Sequence, residues 1–185
     1  MLIEKYDPLK NQKLQILDEK GNCNSKLEPK LEKKDLIKIY KYMLLSRIAD
    51  EKAFALQREG RIGTYPPLKG HEAVQIGSAF AMNKNDWLFP VYRDMGAMLV
   101  MGVPLDLIFL YWMGNEDGCR FPEGVNVFPI AIPVGSQISL GMGFSWASKL
   151  KKDKAVTLVS FGDGATSSID FHDGLNFAGV FKTPT

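Results

Sequence analysis

The stretch AVTLVSFGDGATSS, residues 155–168, decides the fold class. Ala155 to Phe161 is nearly continuous apolar and β-branched sequence, as expected of a strand covered on both faces. Gly162-Asp163-Gly164 follows at once, and Ser168 to Val180 reads as a helix. Strand, glycine turn and helix form one α/β unit, and such sheets take ligands beyond the carboxyl ends of their strands. The turn sets one carboxylate, Asp163, among backbone amides that no bulky side chain covers. A hard divalent cation takes carboxylate oxygen, and amides near a helix start accept an anion, so the turn suits magnesium together with phosphate. An isolated GDG is more often a plain turn whose aspartate caps a helix, so its surroundings must decide.

Upstream, Gly135 to Leu150 reads as a helix with Gly141, Gly143 and Ala147 available for close packing. Trp87 to Phe89 is a short strand ended by Pro90, and Asn126 to Ile132 is a second strand candidate, interrupted by Pro129 and ended by Pro133. Glu72 to Met82 is a compact helix behind the loop Gly63 to Gly70. From Asp35, the residues Leu36, Ile37, Tyr40, Met43, Leu44 and Ile48 make one apolar helical face, with Gly60 as terminator. Residues 1–34 mix Lys, Glu, Asn and Pro without periodicity and read as an extended amino-terminal arm, so the folded domain is expected over 35–185.

Composition narrows the function classes. The 185 residues are 45% hydrophobic and 24% charged, as in a soluble globular domain. A balance of 23 Lys and Arg against 21 Asp and Glu gives no basic excess for gripping nucleic acid. Cys23 and Cys119 lie far apart, which suggests neither a disulfide framework nor a zinc site and fits a reducing cytoplasm. The start MLIEKYDPLK has no apolar core behind a basic end and is not a signal peptide. Met95 to Gly114 is long and apolar enough to suggest a membrane span, but Gly102, Pro104 and Asp106 sit where one helix ends and another begins. Two short buried helices are expected there, and no span.

Four blocks stand in order along the chain: Gly70-His71-Glu72-Ala73, Pro90-Val91-Tyr92-Arg93-Asp94, Pro122-Glu123-Gly124-Val125-Asn126-Val127, and Gly162 through Ser167 with Asp170-Phe171-His172 and Asn176-Phe177-Ala178-Gly179 beyond. In these, residues 35–185 resemble the alpha subunits of thiamine-diphosphate-dependent 2-oxo acid dehydrogenases of the pyruvate and branched-chain type. The resemblance implies the three-layer α/β thiamin-diphosphate-binding fold, with a parallel sheet that is incomplete in this chain. It implies that Tyr92 and Arg93 contact the cofactor's diphosphate. An arginine fork can pair two phosphate oxygens, and a tyrosine adds a neutral donor. It further implies that Asp163 ligates Mg2+, that Gly164 and Ala165 offer amides to the diphosphate, and that Ile132 and Val134 flank the aminopyrimidine. Read without the resemblance, Ile132 and Val134 would be plain core and Arg93 a surface pair.

By the same resemblance the enzyme is an oxidoreductase that decarboxylates a 2-oxo acid and passes the acyl group to a lipoyl arm on an acyltransferase. A beta subunit supplies the activating glutamate, so a heterotetramer is implied and the alpha chain alone is inactive. The sequence also departs from the family. The Asn that completes the magnesium shell is expected about thirty residues beyond GDG, past Thr185, so a second chain carrying the rest of the subunit is one possibility. The family's histidine before PEGVNV is replaced by Asp117, and Ser168-Ile169 stands in place of Glu or Gln followed by Gly. His71 and His172 read as structural residues, and no catalytic residue is assigned. Thr64 takes the place of a bulky aromatic beside the substrate, which would leave room for branched 2-oxo acids. The alternatives are an acetoin-type dehydrogenase alpha subunit and a noncatalytic half-subunit.

Overall fold

The structure, a computed structural model, describes residues 14–185 apart from Ala131. They fall into two compact units, one ending at Leu36 and one spanning Ile37–Thr185. Of the expected arm, residues 1–13 lie outside the described part. The rest of the first unit is built on a turn that the sequence reading did not foresee. Asp18 Oδ1 accepts from the backbone N–H groups of Lys20 (2.9 Å) and Asn22 (2.7 Å), and Gly21 supplies the left-handed residue at φ 83°. Leu17 and Cys23 close the turn as an antiparallel bridge. The Asn22 side chain donates to the same carboxylate and is the main cause of its lowered pKa.

Helix α1, Lys33–Arg58, stops where expected, with Gly60 at φ 72° and the Arg61 N–H returning to the Leu56 carbonyl. Its packing reverses the sequence reading. Leu36, Ile37, Tyr40, Leu44 and Ile48 are exposed, and the buried side is Ser46, Ala49, Asp50 and Ala53. Small residues let the chain approach that side closely, and Asp50 supplies a buried acceptor that draws the loop of residues 63–70 onto it. Tyr65 Oη and the Leu68 N–H donate to Asp50 Oδ1 at 2.7 Å each, and the Lys69 N–H donates to Oδ2 at 3.2 Å. Leaving either of the buried donors, on Tyr65 or Leu68, unpaired would cost about 1–3 kcal/mol.

Helix α2, Glu72–Phe80, follows, then strand β1, Trp87–Phe89. The apolar run beyond them is broken as expected: α3 spans Met95–Val100, Gly102 takes φ 97°, and α4 spans Leu105–Trp112 behind the extended Pro104. Among the described residues no helix is long and apolar enough to cross a membrane. These elements close one core around Ala53, Leu68, Leu88, Met98, Ile108 and Val127.

Strand β2, Thr157–Val159, pairs in parallel with β1 in the register Trp87 to Thr157, Leu88 to Leu158 and Phe89 to Val159. It is shorter than the run from Ala155 to Phe161, and both Val156 and Phe161 are exposed, so that run is not covered on both faces throughout. The strand expected over 126–132, whose Ala131 lies outside the described residues, reduces to one parallel bridge between Val127 and Leu88. Asn126 and Phe128 bond the backbone of Leu88, and Pro129, which has no N–H to donate, follows directly. Helix α5, Ser136–Lys151, lies on the sheet through Gly141, where a Cβ would stand 2.5 Å from Val159 Cγ2. Helix α6, Ile169–Phe181, packs on α5, and a Cβ on Gly174 would stand 2.7 Å from Ile138 Cγ2. Both helices end on lysines in the left-handed region, Lys152 at φ 62° and Lys182 at φ 49°. The expected combination of a parallel sheet and covering helices is therefore present.

Candidate functional site

A cavity of about 350 Å³ opens beyond the carboxyl ends of β1 and β2. Tyr92 and Arg93 form one wall, the segment that follows β2 from Ser160 to Gly162 forms another, and His71 and Gln75 of the α2 region close it. The strand-end position matches where parallel sheets take ligands. Of the residues expected at the site, Tyr92 and Arg93 line this cavity together with Gly162, the first residue of the glycine turn, whereas Asp163, Gly164 and Ala165 do not line it.

The PVYRD block is held firmly from behind. Asp94 is buried, and its Oδ2 accepts from the Val91 N–H at 2.8 Å. Burial pushes the Asp94 carboxyl upward, opposed by this amide and by the Ser160 hydroxyl. Gln75, also buried, donates to the Arg93 carbonyl at 2.9 Å and accepts from the Gly96 N–H at 3.0 Å. A side chain at position 96 would collide with it, since a Cβ there would sit 2.8 Å from Gln75 Oε1. The Arg93 guanidinium lies over the Tyr92 ring, 5.6 Å from its centroid, and donates to the Pro67 carbonyl. A guanidinium has five N–H donors, so this single bond orients the group and leaves donors for an anion.

The glycine turn continues as a short 3₁₀ turn, Asp163–Ser167, in which Asp163 and Gly164 are exposed and Ala165 is fully buried. The Ala165 N–H donates to the Gly162 carbonyl at 3.1 Å, so that amide is engaged within the turn. Ser168 has a structural role of its own. Its hydroxyl donates to the Ala165 carbonyl at 2.8 Å and accepts from the Phe171 N–H at 3.3 Å, which caps α6. The chain before α5 approaches so closely that a Cβ on Gly135, itself at φ 99°, would lie 2.3 Å from Ser168 Oγ. Ile132 and Val134, just upstream, are exposed and do not line the cavity. Among the described residues no three His, Cys, Asp or Glu side chains gather as a metal centre, so Asp163 stands without protein co-ligands of those types.

Sequence reasoning missed three residues on the cavity wall. His71 read as a helix-start residue, yet its side chain makes no capping bond and it faces the cavity. Gln75 could have been suspected as the amide in an Ala-, Gly- and Ser-rich helix, while Ser160 gave no signal. His172 packs its ring edge-on against Phe171. Thr64 lies elsewhere, on a second cavity of about 770 Å³ shared with Tyr111, Trp112, Cys119 and Arg120. Asp117, which the sequence reading set in place of a family histidine, pairs with Arg120 at 3.1 Å.

Residues 40–185 match the family described as Dehydrogenase E1 component. A protein of Acholeplasma laidlawii named "Pyruvate dehydrogenase E1 component subunit alpha" is 48% identical over 168 residues, 90% of this chain and 49% of the relative. Proteins of the same name are 40% identical in Staphylococcus aureus and 38% in Staphylococcus epidermidis, each over 92% of this chain and 46% of the relative. The chain spans about half the length of the relatives it matches.

Proposed function

Since the chain belongs to the dehydrogenase E1 component family, we propose that it holds the diphosphate of thiamine diphosphate as the amino-terminal part of a 2-oxo acid dehydrogenase alpha subunit. The observation that carries this reading is the meeting of Tyr92, Arg93 and Gly162 around one cavity beyond the parallel strand ends. The residues present suit a diphosphate, because a planar cation, a phenol and a glycine turn offer several donors with little steric cover. Arg93, fixed by Pro67, pairs phosphate oxygens, and Tyr92 adds a neutral donor. On the same reading Asp163 ligates the metal and Gly164 and Ala165 offer amides to the diphosphate, from the turn that follows Gly162 and outside the cavity lining itself. Ile132 and Val134 flank the aminopyrimidine from the loop before α5.

Magnesium fits less completely. Asp163 gives one oxygen, and the rest of a six-ligand shell would come from the diphosphate, water and other oxygens, since no group of three His, Cys, Asp or Glu gathers among the described residues. When bound, the cofactor's thiazolium supplies the electron sink that lets a 2-oxo acid lose carbon dioxide. This chain's own part is to bind, orient and shield. The beta subunit, a lipoyl-bearing acyltransferase and a cytoplasmic setting complete the reading, and the relatives' shared name favours pyruvate over a branched-chain acid or acetoin. Titration calorimetry of the assembled enzyme with thiamine diphosphate and Mg2+ tests it. Arg93→Lys is expected to weaken binding by about 1–3 kcal/mol, since a point ammonium cannot replace a two-pronged contact. Unchanged affinity removes Arg93 from the diphosphate.

A further inference from the structure

We propose that Asp50, which does not line the cavity, is a positioning residue that sets the orientation of Arg93 through the loop between them. This rests on the diphosphate reading of the cavity. The links are continuous. Asp50 is 2% exposed, and its carboxylate takes the Tyr65 hydroxyl and the Leu68 N–H on one oxygen and the Lys69 N–H on the other. Between these anchors lies Pro67, whose carbonyl accepts from the Arg93 guanidinium. Pro66 and Pro67 both have φ fixed by their rings, so the segment between the anchors has little freedom to absorb a shift. Burial first, and then Asp50, push the Tyr65 phenol far above its ordinary range, so it remains a donor at working pH.

The arrangement needs a carboxylate. All three protein groups facing Asp50 are donors, and a carboxylate accepts on both oxygens. Asn at this position keeps one accepting oxygen and turns an amide N–H toward a backbone N–H, so one anchor is lost at nearly constant volume. The loop then relaxes and the Pro67 carbonyl moves. Arg93 loses the bond that points its free donors at the cavity.

The test uses the assembled enzyme and two probes, thiamine diphosphate with Mg2+ and inorganic pyrophosphate with Mg2+. Asp50→Asn is expected to weaken both by roughly tenfold, the scale of one misaligned charge-assisted contact. The kcat at saturating cofactor should stay within about twofold, and amide exchange at Leu68 and Lys69 should quicken. Acting through Arg93 further demands non-additivity: in an Arg93→Ala background, Asp50→Asn should weaken pyrophosphate no further. Additive losses, or faster exchange with unchanged affinity in the wild-type background, overturn the inference. If Asp50→Asn fails to fold, Tyr65→Phe removes one anchor and must show the same pattern at smaller size. The two readings fail differently. Arg93→Ala with unchanged pyrophosphate affinity overturns the proposed function and this inference together, whereas a loss for Arg93→Ala without one for Asp50→Asn overturns this inference alone.

Discussion

The region built on α2, α3 and α4 turns most of its apolar side chains inward, whereas the region built on α5 and α6 presents many of them outward. In the first, Ile76, Met98, Val103 and Ile108 are all at most 2% exposed. In the second, Leu140, Leu150, Ile169, Leu175 and Val180 are 47–74% exposed, and only Ile138 and Ala165 join the buried apolar set. The two walls of the cavity therefore rest on different supports. Tyr92 and Arg93 lean on a finished core and on buried hydrogen bonds, while the wall from Ser160 to Gly162 leads into the Asp163 turn and α6, whose outer face is exposed.

The contrast can be broken by mutation. Leu88→Ala, at a fully buried strand position, is expected to lower the unfolding free energy by about 2–5 kcal/mol in urea denaturation. Gly141→Ala comes next. The added methyl would meet Val159 at 2.5 Å and force α5 from the sheet, at about 1–3 kcal/mol by the same measurement, with little response from the first region. An equal loss of amide protection in both regions would show that they unfold as one.

Acid should act on the first region more mildly. Glu72 pairs with Arg47 and accepts from the Gly70 N–H, and these contacts, the Arg47 bond foremost, hold its carboxyl down to about 2 from an ordinary 4.5. A depressed carboxyl contributes stability that is complete above the unfolded value and lost as pH falls through the folded one. Stability should therefore decline between about pH 4.5 and 2, and Glu72→Gln should flatten that decline in denaturation series. The smallest effect belongs to the bare face: Leu175→Ala should change the stability of the isolated chain by no more than about 0.5 kcal/mol. A loss above 2 kcal/mol would mean that Leu175 is covered.

How far the sequence could be read follows from the range of the forces involved. The strand, GDG turn and helix were legible because each is set by neighbours in the chain, and the break at Gly102 was legible for the same reason. The strand over 126–132 was not, because β-branched and apolar composition cannot show whether a partner strand extends past Pro129. The apolar face of α1 was found, but its direction was not. Periodicity reports a face without saying whether this chain covers it, and nothing in the neighbouring sequence marks Asp50 as buried. On the cavity, Tyr92 and Arg93 were found through a motif, while His71 and Ser160 arrive through tertiary contacts that no local pattern encodes. Thr64 was assigned to the acyl pocket by its loop, and the fold sets it on a different cavity from Arg93.

Both long helices beside the GDG turn close on a lysine in the left-handed region, at φ 62° and 49°, where glycine would sit without strain. In design terms these two ends leave stability unused. Purifying selection removes only chains that fall below a working threshold, so a fold that passes it keeps its small inefficiencies. They lie at the surface, and neither Lys152 nor Lys182 lines the cavity. They are therefore places where the molecule can drift, or be improved, without touching the chemistry.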